Sequence, residues 1–318
     1  MIKINLFFLL FFLSSFSLSA QTENYKNTIG FKSENDSYLA SGSDRYYTNG
    51  LFFNFRHALD QKDITGKVEK KIWEAEIGQY IYNAQSGSVP DIIYVDRPFA
   101  GYLFAAAKLS WYKKDEQIMT AGLNAGTIGP NSLARDAQEL LHRVVGFYEI
   151  NGWQYQVKNE IGINALFEYK RLLLRPSKSA DFSLATQVIA GTTHTRASAG
   201  VLFRAGSVNK LTQSASTASR ISNIAGSTLP NKEFFFFTQP TINVIVYDAT
   251  IQGGLFRDDK GAVTYTPNRL VYAQEVGVLY AQKRWTASFS AIFKTKELKS
   301  QVRSQQYGSA SLSYSFGY

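Results

Sequence analysis

The chain has no cysteine. A disulfide framework, a thiolate nucleophile, a Cys-ligated metal and a lipoprotein anchor are therefore all closed to it. Proline is scarce, at 7 residues in 318. Past the N-terminus no apolar run reaches the roughly 18 residues that a membrane-crossing helix needs, so a helical membrane protein is excluded. Histidine occurs only at His57, His142 and His194. No G-x-S-x-G elbow, H-E-x-x-H pair, phosphate-binding loop or dinucleotide fingerprint is present, which removes the ordinary α/β-hydrolase, zincin and nucleotide readings. The net charge of +9 is spread without a basic block. With export (below), it gives no reason to expect a nucleic-acid partner, whereas a positive surface suits the phosphates of lipopolysaccharide.

What is present begins at the N-terminus. Lys3 supplies a positive start, Leu6 to Leu13 form an unbroken apolar run, and Ser17-Leu18-Ser19 followed by Ala20 has the small-x-small form of a secretory cleavage site. Residues 1–20 read as a signal peptide, cleaved after Ser19 or Ala20, with a mature domain beginning near Gln21 and occupying 21–318. Aromatics make up 14% of the chain, with 23 Phe and 19 Tyr. Export and aromatic richness without transmembrane helices suit an outer-membrane β-barrel with aromatic girdles. On composition alone a soluble periplasmic β-protein fits equally well.

Two-residue periodicity favours the barrel. Near the C-terminus Gly308, Ala310, Leu312, Tyr314, Phe316 and Tyr318 share one face, and Ser309, Ser311, Ser313, Ser315 and Gly317 the other. A terminal aromatic on such a strand resembles the signal that barrel-assembly machinery reads. Trp285, Ala287, Phe289, Ala291 and Phe293, and again Ala197, Ala199, Val201, Phe203 and Ala205, alternate with polar or small residues. Segments near 25–34, 47–58, 70–82, 99–112, 115–126, 154–171, 181–194, 197–206, 232–247, 269–281, 284–297 and 306–318 predict about twelve strands, an even number. The fold class is all-β, a transmembrane antiparallel barrel. Tight connections near His194–Ala197 and Gln282–Arg284 are expected on the periplasmic side, and the Ser/Thr/Ala-rich stretch Ser207–Lys232 is expected as an extracellular loop.

One segment reads differently. After Pro130, Asn131 and Ser132 offer N-cap side chains, LARDAQELLHRVV follows, and Gly146 stands where a C-cap glycine would. Leu133, Ala137, Leu140 and Val144 form one helical stripe, with Gln138 and His142 four apart on a neighbouring face. A short helix in a barrel needs a reason, and His142 gives it one, although a lone helical histidine is also commonly just a packed residue. The stretch 33–50, SENDSYLASGSDRYYTNG, gathers hydroxyls, amides and carboxylates at the adjoining ends of two strands. Asn, Asp and Gly are also ordinary turn formers, so the cluster alone is ambiguous.

Taken together, END…DRYYTNG (34–36 and 44–50), GTIGPNSLARDAQELLHRVVG (126–146), NGWQYQVKNE (151–160) and TRASAGVLFRAG (195–206) resemble the outer-membrane lipid A 3′-O-deacylase family. The resemblance implies a twelve-stranded barrel with a short helix against its wall and the active site between the two, at the outer-leaflet end. It implies a Ca²⁺-dependent esterase that removes the 3′-linked acyloxyacyl group of lipid A. Carried onto this chain, His142 matches the base, Gln138 the helical glutamine one turn before it, and Thr48 a hydroxyl near the oxyanion. Asn35 and Asp36 match the calcium-binding pair, and Glu160 falls in a recurrent Lys-Asn-Glu segment assigned here to the metal. The expected setting is a monomer among outer-membrane lipids, with lipopolysaccharide as substrate and the barrel-assembly machinery as partner. Leu140-Leu141 stands where relatives often carry an aromatic, and 207–232 has no counterpart, which leaves lipid specificity open.

Two other functions compete with this one. A non-catalytic barrel, a pore or scaffold, would have no use for the helix. An outer-membrane phospholipase also cleaves acyl esters with Ca²⁺, but would carry a Ser-His-Asn set on adjacent strands.

Overall fold

A computed structural model describes residues 24–40, 44–60, 64, 66–224 and 229–317. The signal-peptide segment and Tyr318 lie outside the described residues. Twelve strands close into one antiparallel barrel in which each pairs with its sequence neighbours and the first pairs with the last. They are β1 (Asn27–Asn35), β2 (Tyr47–Ala58), β3 (Val68–Tyr82), β4 (Ala100–Lys113), β5 (Gln117–Ile128), β6 (Glu160–Ser177), β7 (Ala180–Gly191), β8 (His194–Ser207), β9 (Lys232–Asp248), β10 (Leu270–Gln282), β11 (Trp285–Lys294) and β12 (Gln305–Phe316). Helix α1 (Ala134–Val145) lies between β5 and β6, and the single-turn α2 (Ala249–Gln252) follows β9. Closure satisfies every strand edge, which a bilayer requires because hydrocarbon offers no hydrogen-bonding partner.

The alternation read from the sequence sorts the side chains. Lys32, Asn54, Arg56, Glu74, Glu76, Lys108, Glu168 and Ser311 line an interior chamber of about 690 Å³. Ile77, Leu123, Ile161, Ile163, Phe289 and Leu312 are exposed on the outer surface, where lipid meets them. Inside, charges are paired: Glu74 takes Arg56 and Lys108, the latter at 2.8 Å.

The start of β1 and the end of β12 lie at one end of the barrel, where the Lys26 N–H donates to Gly317 O at 2.9 Å. Apart from 208–231, the connections at this end are short; those at the other, such as 83–99 and 129–159, are mostly long, which marks the far end as the outer one. This corrects two expectations. The turn before His194 lies at the outer end, and Ser207–Lys232 at the end of the termini. Its described residues 208–224 fold into the lumen rather than out of it. Lys70 donates to Thr212 O at 2.9 Å and to Ser219 O, and Tyr112 donates to Thr217 O at 2.8 Å. Leu211 and Ile221 are buried with Tyr25, Ile72 and Tyr112. Its small hydroxylated residues bond back to their own backbone, as Ser219 Oγ does to Leu211 O at 2.9 Å, so a polar sequence packs as a floor. At the outer end Tyr47, Tyr80, Tyr82, Tyr102, Phe104 and Tyr307 pack ring against ring along the inner face of β12, β2, β3 and β4.

Two boundaries differ from the sequence reading. The alternation in 154–159 is not strand: it holds a 3-10 turn at Trp153–Tyr155 and isolated bridges from Gln156 and Val157, and β6 starts at Glu160 and runs to Ser177. The helix does not use Asn131 or Ser132 as a cap. Pro130–Ser132 form a 3-10 turn, Leu133 follows at φ 56°, and α1 begins at Ala134 with no side-chain cap. Gly146 does terminate it, at φ 75°, as a left-handed C-cap should.

Candidate active site

The site is built on the outside of the barrel wall, and strand parity explains how. On β1, Lys32 and Glu34 pair inside, so Asn35 faces out. On β2, Phe52, Asn54 and Arg56 face in, and simple alternation would turn Thr48 inward as well. The β2–β3 register slips there: Tyr47 pairs with Tyr82 and Asn49 with Ile81, leaving Thr48 as the extra residue of a β-bulge. Such bulges re-aim side chains. Tyr47 turns inward, donating to Glu34 and packing edge-on to Tyr307 at 4.7 Å, and Thr48 joins Asn35 and Asn49 on the outer side. The loop between β1 and β2 is strained to match, with Ala40, Asp44 and Tyr46 at positive φ of 57°, 43° and 60°, a costly choice for residues with a Cβ.

Helix α1 supplies the other half. Its N-terminus packs on the outer face of β3 and β4, where Gln79 donates to Ser132 O at 2.7 Å and a Cβ at Gly101 would overlap Ser132 and Ala134. The helix therefore turns Ala134, Gln138 and His142, one residue per turn, toward the protein.

These elements converge on Asp44. Its Oδ2 lies 3.3 Å from His142 Nε2 and accepts from the Tyr148 hydroxyl. Its Oδ1 accepts from Thr48 Oγ1 at 3.0 Å and from Gln138 Nε2 at 3.4 Å. Trp153 Nε1 donates to Gln138 Oε1 at 3.1 Å, and this turns the amide NH₂ toward Asp44. His142 Nδ1 lies 2.7 Å from Tyr148 O. A carbonyl only accepts, so Nδ1 carries a proton and Nε2 is the nitrogen left to exchange one. Asp36 stands on the other side of Thr48, with Oδ1 at 3.4 Å from the hydroxyl and Oδ2 accepting from the Arg45 N–H at 2.9 Å. Burial raises the Asp36 carboxyl to about 6 against the pull of that amide, and the neighbouring Asp44 charge adds to the rise. The Tyr148 phenol is likewise raised, by burial and then by Asp44. Asn35 closes the group: its Oδ1 accepts from the Ser37 N–H at 2.7 Å and its amide donates to Asn49.

Of the residues marked in the sequence, His142, Gln138, Thr48, Asn35 and Asp36 come together here. Glu160 does not join them. Its carboxylate accepts from the backbone N–H groups of Leu255, at 2.7 Å, and Phe256, and it holds the β9–β10 loop. Asp44, Tyr148 and Trp153 were not singled out, although Asp44 and Trp153 both lay inside quoted motifs; no spacing in the chain brings Asp44 to a helix 94 positions later. Asn83 was missed entirely. It is fully buried, and neither atom of its amide has a hydrogen-bond partner. A Cβ built on Gly87 would lie 2.8 Å from Tyr148 Oη and 3.2 Å from both Asn83 Nδ2 and Asp44 Cβ, which places that amide at the edge of the same cluster.

Among solved structures, LpxR from Salmonella typhimurium superposes with a TM-score of 0.72 at 18% identity, covering 91% of this chain and 100% of that one. The β domain of the Bordetella autotransporter BrkA matches at a TM-score of 0.47 and 10% identity, over 92% of this chain and 100% of that one. The NalP translocator domain from Neisseria meningitidis matches at 0.44 and 8%, over 92% and 90%. No curated protein matches the sequence. The profile of the family described as outer membrane protein LpxR matches residues 6–316, nearly the whole chain, and the chain belongs to that family of outer-membrane barrels.

Proposed function

We propose that the chain is a Ca²⁺-dependent esterase that removes the 3′-linked acyloxyacyl group of lipid A in the outer membrane. The observation that carries this is the His142–Asp44 contact, 3.3 Å long, set on the outer wall of the barrel, where a bilayer lipid and not a lumenal solute would meet it. Tyr148 O fixes the Nδ1 proton of His142 and so presents Nε2 as the base. Nε2 takes a proton from water as the water oxygen attacks the acyl carbonyl, and the same proton returns to the departing sugar oxygen. Asp44, held by Thr48, Gln138 and Tyr148, orients the ring and balances its charge while the proton is on it.

The donors suit a hard divalent cation. Asp36 and Asp44 are buried carboxylates that share one hydroxyl, and buried like charges call for a compensating ion. Asn35, Asp36 and Thr48 would hold it, through the oxygen ligands that Ca²⁺ prefers. When bound, the ion would polarise the ester carbonyl and stabilise the oxyanion. Glu160 is not part of this set.

The competing readings are less well supported. His142 faces a carbonyl and a carboxylate, and the Ser-His-Asn arrangement of a strand-mounted phospholipase site is not what surrounds it. The connection after β8 folds into the lumen through Thr212, Thr217 and Ser219, which does not suit an open pore. Mass spectrometry of lipid A from a host expressing the protein tests the proposal: a loss equal to one acyloxyacyl group is expected, and unchanged lipid A beside an active relative would sink it.

A further inference from the structure

We infer that α1 is an interfacial helix whose apolar flank docks into the acyl chains of the outer leaflet. This uses the membrane-embedded barrel and not the esterase proposal. The observations begin with the way α1 lies. Its first residue packs at Gly101 on the outside of β4, and its third turn reaches Asp44 beyond β2. The helix thus lies on the outer wall over β4 and β3 and reaches the loop that leads into β2.

The side chains are divided to match. The wall side carries Ala134, Gln138 and His142, all buried. One free flank carries Leu140 and Val144, exposed at 55% and 75% and four residues apart on one ridge, and Leu133, exposed at 56%, stands just before the helix. The other carries Arg135, Asp136, Glu139 and Arg143, with Arg135 donating to Glu139 at 2.7 Å. A surface helix in water buries its apolar stripe and exposes its polar one. Here Gln138 and His142 are buried on the wall, and a charged flank and an apolar flank are both left outside, which is the pattern of a helix lying in the plane of a membrane interface. The apolar flank also continues an apolar surface. β5 leads into α1 within a few residues, and the outward residues of β5 and β6 around it are Leu123, Ile161 and Ile163, all exposed. The occupant that fits both surfaces at once is lipid hydrocarbon.

The absence of cysteine makes the test direct, because one introduced thiol labels uniquely. Val144→Cys and Asp136→Cys, both at exposed positions, would each carry an environment-sensitive fluorophore. The protein would be reconstituted in phosphatidylcholine vesicles with or without brominated acyl chains, and heat-modifiable migration would verify folding. A blue-shifted probe at 144 that brominated chains quench severalfold, beside an unquenched probe at 136, is the expected result. Three outcomes overturn the inference: water-like emission at 144, equal quenching at both positions, or a blue-shifted probe at 144 that brominated chains do not quench, meaning that protein covers it. Leu140→Cys repeats the reading if 144 disturbs folding. No outcome depends on hydrolysis, so failure here and failure of the esterase proposal are separate results.

Discussion

Asp44 Oδ2 lies 3.3 Å from His142 Nε2, joining a strained loop between two strands to a helix that begins 90 residues further along the chain. If this pair is the proton-handling centre, His142→Ala should lower lipid A deacylation by about 10²–10⁴-fold, the usual worth of a positioned general base. Asp44→Asn should lower it in the same direction while keeping the ring in place through Tyr148. Both variants should retain heat-modifiable migration. A fully active His142→Ala would remove the mechanism even if the substrate assignment survived.

The Asp36 carboxyl, raised to about 6 from an ordinary 3.8, predicts a pH effect in chelator. Because the folded value lies above the unfolded one, the protonated form is the one the fold favours. That contribution is fully present below about 4 and is lost as pH rises through about 6. Asp36→Asn, which cannot ionise, should therefore stabilise the metal-free barrel at pH 8 by on the order of 1–3 kcal/mol and change little at pH 4. Urea unfolding in detergent at the two pH values measures this, and equal effects at both would contradict it. The same variant should lose activity, a trade commonly found at sites that hold strain or charge for function.

Chelation by EGTA should abolish hydrolysis, and added Ca²⁺ should restore it. Ca²⁺ should also raise the unfolding midpoint of wild type by mass action and do so much less for Asp36→Asn. Activity indifferent to chelator would remove the ion from the proposal.

The floor of the lumen hangs on Arg204. This fully buried guanidinium bonds both oxygens of Asp181 at 2.9 and 2.7 Å, Ser214 at 2.7 Å and Asn209 O at 2.9 Å, and lies 3.6 Å from Glu233. Arg204→Leu leaves buried Glu233 without this cation and Asp181 with Arg175 alone, and should cost about 3–5 kcal/mol. It should also loosen the floor, so that planar bilayers are expected to show ion conductance for the variant and none for wild type.

The fold was legible in the sequence because a barrel strand has only two environments. Residues such as Ser311 and Leu312 alternate between them with a period that no helix shares, and most strand ends were placed within a few residues. The helix was legible from its stripe, but the direction of that stripe was not. Leu140 and Val144, two members of that stripe, are exposed, and periodicity alone does not say whether a stripe faces protein or lipid. The positions of His142, Gln138, Thr48, Asn35 and Asp36 were visible through motif resemblance. Asp44 was hidden because it contributes by tertiary contact alone. The inward course of 207–232 was hidden too: Ser and Thr look solvent-facing until their hydroxyls are seen to bond their own backbone.

That inward loop bears on the cell as well as on the molecule. An outer membrane is a permeability barrier, and every barrel inserted in it is a candidate leak. A floor continuous with β8 and β9 has no separate plug to lose, and among its described residues Thr217 and Ser219 turn their hydroxyls onto their own backbone. The protein could then be made in quantity without admitting small toxic solutes, so its abundance would be set by how much surface remodelling is wanted and not by the harm of carrying it.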